Sequence, residues 1–190
     1  MTPDPQPPRL VTLRDGRQVT VRAGVGSDAA EIVQAFDRLS ADSKYTRFMA
    51  HKKRLNPAAL ERGLHPDPGQ AFVFVATVPA GDGIDIVGAA QYVRANDNDD
   101  GLCEFAITVA EDWRGSGLAA HLLARLVRQS RRDGYRAMEG LVIAGNRPML
   151  DLARRLRFLA TPVAEDATVT RVGRQLARAK RPQPAQTVRP

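Results

Sequence analysis

The run Val109-Ala110-Glu111-Asp112-Trp113-Arg114-Gly115-Ser116-Gly117-Leu118-Ala119-Ala120 carries the strongest chemical signal in this chain. An apolar segment passes through a short glycine loop into a segment of helical spacing, with Ala119, Leu122, Leu123, Leu126 and Val127 on one face. A strand-to-helix junction of this kind turns several main-chain N–H groups into one small space. It does so at a helix end, where the peptide dipoles also favour negative charge. A diphosphate suits such donors, because small residues keep no Cβ between the phosphate and the N–H groups. An ordinary strand-to-helix turn has the same spacing, so the loop alone does not decide. It lacks the lysine-serine pair of a nucleoside-triphosphate loop and the third glycine of a dinucleotide fingerprint.

Glu104 is the second candidate. It interrupts the otherwise apolar run Leu102 to Val109. A part-buried carboxylate in such a place can have a raised pKa and accept a proton; a strand-end glutamate in solvent, or one paired with an arginine, is the alternative. Glu139 is a further carboxylate with a surface reading. His51, His65 and His121 have no partner in any motif, and Cys103 reads as a buried thiol. Asp97, Asp99 and Asp100 lack the downstream glutamate of a calcium loop and read as a polar hairpin, so no metal is expected.

The elements that must position these groups follow from pattern. Leu10–Leu13 and Gln18–Arg22 flank Asp15-Gly16, which predicts a hairpin. Ser27 or Asp28 is placed to cap a helix through Leu39, and Leu39-Ser40-Ala41-Asp42-Ser43 is expected to end it. A short second helix is expected after Asn56-Pro57. Strands are expected over 71–78, 84–93 and 102–109, then the long helix to Gly134, then a strand over 138–143. Asn146-Arg147-Pro148 starts a last helix, and 158–163 and 168–172 close the sheet. The sum is a mixed α/β layer structure with helices packed on a sheet. Residues 1–9 read as a disordered N-terminus, 10–172 as one domain, and 173–190 as a basic, mostly disordered tail.

Composition narrows the function classes. The chain has 190 residues, 43% hydrophobic and 26% charged, ordinary for one soluble domain. No apolar stretch is long enough to span a bilayer, and the proline-rich start resembles no secretory signal. A lone cysteine points to a reducing cytoplasm. The net charge is +7, but Arg171, Arg174, Arg178, Lys180, Arg181 and Arg189 follow the last acid and leave only +1 before them. No stacking aromatics or reading helix accompany that charge, which argues against nucleic acid.

Taken with its neighbours, Arg114-Gly115-Ser116-Gly117-Leu118-Ala119 resembles the Arg/Gln-x-x-Gly-x-Gly/Ala signature of the GNAT superfamily of acetyl-CoA-dependent N-acetyltransferases. The likeness spans roughly residues 17–172. It is closest to the acetyltransferase domains of bacterial protein lysine acetyltransferases, through Leu39 to Phe48, Glu104-Phe105-Ala106, Asp112 to Leu118 and Asn146 to Leu150. The resemblance implies a mixed, mostly antiparallel sheet with a central, splayed parallel pair and helices on both faces. It implies that the CoA diphosphate takes hydrogen bonds from the main chain of Arg114, Gly115, Ser116, Gly117, Leu118 and Ala119. The pantetheine arm then pairs with Ile107 and Val109, and Asn146 lies near the cofactor, a place where it also suits a helix N-cap. Glu104 matches a glutamate that acts as base. Tyr45, Arg47 and Phe48, expected between the first two helices, stand where the family shapes its acceptor channel, although local packing would also account for them.

The implied reaction is acetyl transfer to an amine, most closely a protein lysine, often the active-site lysine of an AMP-forming acyl-CoA synthetase. A small-molecule amine, or acyl-CoA binding without catalysis, are the alternatives. One departure stands out. Many relatives carry a tyrosine on the last helix to protonate the leaving thiolate; Ala153 holds that position here, and Arg157 replaces the usual glycine before the final phenylalanine. Acceptor, acyl length and oligomeric state are not written in these motifs.

Overall fold

The computed structural model describes residues 7–50, 53–67, 69–95 and 101–176. Strands β1 (Arg9–Thr12) and β2 (Gln18–Ala23) form the expected hairpin, with Gly16 in the left-handed region at the turn. Helices α1 (Ala29–Asp37), α2 (Ala41–Phe48) and α3 (Pro57–Leu64) follow. Then come β3 (Ala71–Ala80), β4 (Gly83–Arg94), β5 (Leu102–Val109), α4 (Leu118–Arg132), β6 (Ala137–Ile143), α5 (Arg147–Arg155), β7 (Leu159–Val163) and β8 (Asp166–Gln175). The strands make one eight-stranded sheet in the order β1-β2-β3-β4-β5-β6-β8-β7. Every neighbouring pair is antiparallel except β5 and β6. The mixed sheet with one central parallel pair is the one expected.

That parallel pair is short. It holds the register Leu102↔Ala137, Cys103↔Met138 and Glu104↔Glu139, and stops there. The ring of Phe105 lies against Gly140 just past the last rung; a Cβ at 140 would come within 2.8 Å of it. Phe158 meets the same ring at 5.2 Å between centroids. Beyond this point β5 and β6 part, while β5 stays zipped to β4 as far as Gly88↔Val109.

The core forms where α4 and α5 cover one face of the sheet. Leu118, Leu122, Leu123 and Leu126 of α4 are buried with Phe74, Ala90, Tyr92, Phe105, Met138, Leu152 and Phe158. Leu118 and Leu122 reach so close to Gly88 that a side chain there would sit about 3.1–3.2 Å from them. The opposite face receives α1 and α3, which bury Phe36 and Leu64. Among the described residues, no helix is long and apolar enough to cross a membrane.

Several expectations are corrected. Residues 41–48 are a helix and not a terminator: Ser40 caps it, accepting the Ser43 N–H at 3.2 Å. The helix after Asn56-Pro57 is therefore the third. Asp28 does not cap α1 with its side chain. Its buried carboxylate instead binds the Arg22 guanidinium at 2.7 and 2.6 Å and the Val25 N–H at 2.9 Å. Burial alone would raise its pKa, but these bonds overcome it and hold the carboxyl below its ordinary value. Strand β8 runs on through Gly173, Arg174 and Gln175 along β6, and Leu176 is buried, so these residues belong to the sheet and not to the basic, mostly disordered tail. At the other end β1 begins at Arg9, and the Pro7 carbonyl accepts from Arg125 at 2.9 Å. His51, Asp97, Asp99 and Asp100, residues 1–6 and residues 177–190 lie outside the described residues.

Arg157 takes φ 62 at the turn after α5. A side chain is strained in that region, by roughly 1–2 kcal/mol, and glycine is not. Arg157 also repels Arg174. Arg157→Gly is therefore expected to stabilise the fold by about 1 kcal/mol, raising the melting temperature by about 2–4 °C in a calorimetric scan; an unchanged or lower value would contradict the strain.

Candidate active site

A cleft of about 1440 Å³ opens where β5 and β6 separate. The loop before α4 forms one end, Glu104 to Val109 form the floor, Leu141 to Ile143 and the start of α5 form one wall, and α2 forms another.

At the loop end, a 3-10 turn (Glu111–Trp113) leads to Gly115 at φ 74 and Gly117 at φ 93, which is the residue that caps α4. Two positive φ values in three residues turn successive N–H groups to one side. The N–H groups of Gly115, Ser116, Gly117 and Ala119 meet no protein acceptor among the described residues. Those of Arg114 and Leu118 are already engaged, with the Glu111 carbonyl at 3.2 Å and the Ser116 hydroxyl at 3.3 Å. The predicted six-residue cradle thus leaves four unpartnered donors. Ser116 turns its side chain inward, donating to the Trp113 carbonyl at 2.6 Å, and is buried. It ties the loop and is absent from the cleft wall.

The hairpin turn braces this loop from outside. The Arg14 N–H donates to the Ser116 carbonyl at 3.1 Å. Arg17 donates to the Asp112 carbonyl at 3.1 Å, lies over the Trp113 ring at 3.9 Å, and pairs with Asp15 at 2.7 Å. Trp113 packs the loop onto the domain through this stack.

A polar network then ties the loop to α2. Arg114 donates to the Ser43 hydroxyl at 2.7 Å. Ser43 donates to Glu111 Oε1 at 2.5 Å, and the Ser40 N–H donates to the same oxygen at 3.0 Å. Arg114 lies 3.9 Å from that carboxylate. Hydrogen bonds from Ser40 and Ser43 hold the Glu111 carboxyl down to about 2.

Along the floor, Glu104 sits at the last rung of the β5–β6 ladder, exposed and lining the cleft. Arg47 of α2 lines the cleft across from it. Burial pushes the Arg47 guanidinium down to about 10, and the charge of Glu104 partly offsets that. No hydrogen bond joins the two among the described residues. Phe48 also lines the cleft, with Arg47 4.6 Å over its ring. Tyr45 is exposed at 42% and does not line it. All three side chains stand on α2, not between helices. Asn146 caps α5 by accepting the Met149 N–H at 3.2 Å and lines the cleft as well, so its amide NH₂ stays available. Ile107 and Val109 line the floor.

Ala153 is buried in the core at 1% exposure and does not face the cleft. The hydroxyls on the wall are those of Ser43, Thr46 and Thr108. Glu139 pairs with Arg171 at 2.6 Å, His65 pairs with Glu61 at 3.0 Å, and His121 is exposed on α4. Cys103 is fully buried, and desolvation pushes its thiol up to about 12, so it is inert as a nucleophile near neutral pH. Among the described residues no group of His, Cys, Asp and Glu could hold a metal ion. Sequence reasoning passed over Arg14, Ser43 and Glu111. Ser43 and Glu111 lie inside runs already singled out, but no spacing rule connects them.

Residues 33–158 match the model of the acetyltransferase (GNAT) family. The chain is 34% identical over 157 residues to acetyltransferase PA5475 of Pseudomonas aeruginosa, covering 83% of each protein. Its fold is similar to the GNAT domain of S. lividans PAT, with a TM-score of 0.80 and 25% identity over 89% of this chain and 97% of that one. It is also similar to yncA of Salmonella typhimurium, solved with its cofactor acetyl-CoA, with a TM-score of 0.67 and 21% identity over 86% and 97% of the two chains. The chain belongs to the GNAT family, whose members are acetyl-CoA-dependent N-acetyltransferases. Its cleft fits that cofactor: the unpartnered N–H groups of Gly115, Gly117 and Ala119 stand at one end, and an open strand edge leads away from them.

Because Glu111 titrates low in the folded protein, the stability it supplies is complete above pH 4.5, its ordinary value, and is lost as pH falls through about 2. The gap in denaturant midpoint between the wild type and Glu111→Gln should accordingly close over that window. A gap that does not change with pH would mean that the carboxylate charge contributes nothing.

Proposed function

We propose that this chain moves the acetyl group of acetyl-CoA onto an amine, and that the acceptor is a protein lysine side chain. One observation carries the reading: a single cleft places an anion cradle at one end of the open β5 edge and Glu104 at the other. The five residue steps from Val109 to Glu104 span about 17 Å of strand.

The thioester supplies the acetyl group in activated form. The unpartnered N–H groups of Gly115, Ser116, Gly117 and Ala119 bind the diphosphate, and the α4 dipole adds to their pull. The main chain of Ile107 and Val109 pairs with the pantetheine amides as a missing strand would, and the free amide of Asn146 adds a donor nearby. A backbone N–H near Val109 polarises the thioester carbonyl. Glu104 takes a proton from the incoming ammonium, directly or through one water, because a lysine with a pKa of ~10.4 arrives charged and without a lone pair. The freed nitrogen bonds to the carbonyl carbon as the carbon–sulfur bond breaks; the thiolate leaves with the electron pair and takes up the second proton that the nitrogen sheds as the amide forms. Arg47 and Phe48 shape the side from which the acceptor enters. The resemblance to bacterial protein lysine acetyltransferases supports the lysine, and a lone buried thiol supports work in the reducing cytoplasm.

Glu104→Gln is expected to leave CoA affinity within about twofold in calorimetry while lowering turnover by about 10²-fold or more. Equal turnover in the two proteins would remove Glu104 as the base. Mass spectrometry after incubation with acetyl-CoA and either proteins or a panel of small amines decides the acceptor. Modified lysines support the proposal. Products on small amines alone replace the acceptor, and binding without consumption makes the chain an acyl-CoA binder.

A further inference from the structure

The cleft mouth carries an arginine that no motif assigns. Arg14 comes from the β1–β2 turn, far from the loop in sequence, yet it lines the cleft beside Gly115 and Gly117. Two contacts place it. Its own N–H is held on the Ser116 carbonyl at 3.1 Å. Its side chain then runs across Gly117: a Cβ built there would lie 3.2 Å from Nε, 3.6 Å from Cγ and 3.7 Å from Cδ. The side chain therefore lies over the residue that caps α4 and lines the cleft together with Gly115 and Gly117.

The other arginines at this end have partners that occupy their charge. Arg17 is neutralised by Asp15 and stacked on Trp113. Arg114 is held by the Ser43 hydroxyl, 3.9 Å from Glu111. Arg14 pairs with no carboxylate among the described residues. An exposed guanidinium fixed by its main chain at a helix N-terminus, with its charge uncompensated, is set up for a phosphate, whose oxygens match its fork.

We propose that Arg14 is a phosphate ligand of coenzyme A, reaching over Gly117 from the N-terminal hairpin to grip the cofactor beside the main-chain cradle. The hairpin thereby becomes part of the cofactor site, and Arg17 is the residue that holds it in place. The proposal rests on the CoA seat described above, which wild-type binding tests separately. CoA carries two kinds of phosphate, the diphosphate and the 3′-phosphate, and both offer the chemistry that Arg14 would recognise.

The test is calorimetric titration of the full chain with CoA and with 3′-dephospho-CoA. Wild type, Arg14→Gln and Arg14→Lys are compared, with melting temperatures measured without ligand to show that each variant is folded. Arg14→Gln is expected to bind CoA about tenfold more weakly at low salt, with the deficit shrinking as salt rises. Arg14→Lys, which keeps the charge and loses the fork, falls between. A deficit that persists with 3′-dephospho-CoA assigns Arg14 to the diphosphate; one that disappears assigns it to the 3′-phosphate. Equal affinities of wild type and a folded Arg14→Gln for both ligands overturn the proposal and leave the seat intact. No binding of CoA by wild type overturns both.

Discussion

The ladder between β5 and β6 ends at Glu104↔Glu139, and the ring of Phe105 takes the space beside Gly140 just beyond it. A parallel pair held over three rungs and then released leaves one strand with main-chain donors and acceptors on a bare edge. Buried main-chain groups seldom go unpaired, so such an edge either meets water or is built for an extended guest. Here β4 keeps the other side of β5 zipped to Val109, which makes the bare edge rigid. The glycine loop that follows Val109 directly sets the anion cradle at the head of that edge. Glu104 is fixed at its foot by the same strand. The spacing between the loop and Glu104 is thus a property of one β-strand and needs no loop to adjust it.

The α2 wall of the cleft depends on a second connection. Helix α2 is short and polar, and Ser43 is the one buried residue along it. At its C-terminal end Phe48 packs edge-on against the buried Phe36 of α1, 5.7 Å between ring centroids. The N-terminus of α2 is pinned by Glu111, which accepts from the Ser40 N–H and the Ser43 hydroxyl, and by Arg114, which donates to the same hydroxyl. Glu111 opens the 3-10 turn that leads into the glycine loop, and Arg114 follows it. The wall bearing Arg47 and Phe48 is therefore fastened to the cofactor loop by charge-assisted hydrogen bonds. These are stronger than neutral ones and more demanding of geometry. A shift of the loop moves the wall with it.

This division explains what the sequence disclosed. The junction from β5 through the glycine loop to α4 is local, within thirty-one residues of chain from Leu102 to Arg132, and its apolar periods change from strand to helix in plain view. The hairpin, α3 behind Asn56-Pro57 and the Asn146 cap were legible for the same reason. Helix α2 was hidden because Ala41-Asp42-Ser43-Lys44-Tyr45-Thr46 shows no apolar stripe, and the hydrogen bonds that tie it to the glycine loop come from 71 and 68 residues away. The end of β8 was hidden because Gly173, Arg174 and Gln175 look like loop, and only their pairing with Ala137 to Glu139 makes them strand. Arg14 belongs to this second kind. Its turn was readable, but the loop it braces was not readable from it.

The departures on α5 bear on how much chemistry side chains must supply. Position 153 faces the core with Leu152 and Phe158 nearby in the same buried cluster, so a phenol there would need room this chain has filled. Arg157 occupies a left-handed turn that glycine would take without strain. Neither change touches the cradle, the bare edge or Glu104. A thiol has a reference pKa of ~8.5, so a thiolate can leave a thioester near neutral pH with little help from an acid. An ammonium of pKa ~10.4 cannot attack until a base has taken its proton. The demanding proton transfer therefore lies on the amine side. Glu104, the carboxylate at the foot of the bare edge, with Arg47 as its charged neighbour, is the group proposed for that transfer.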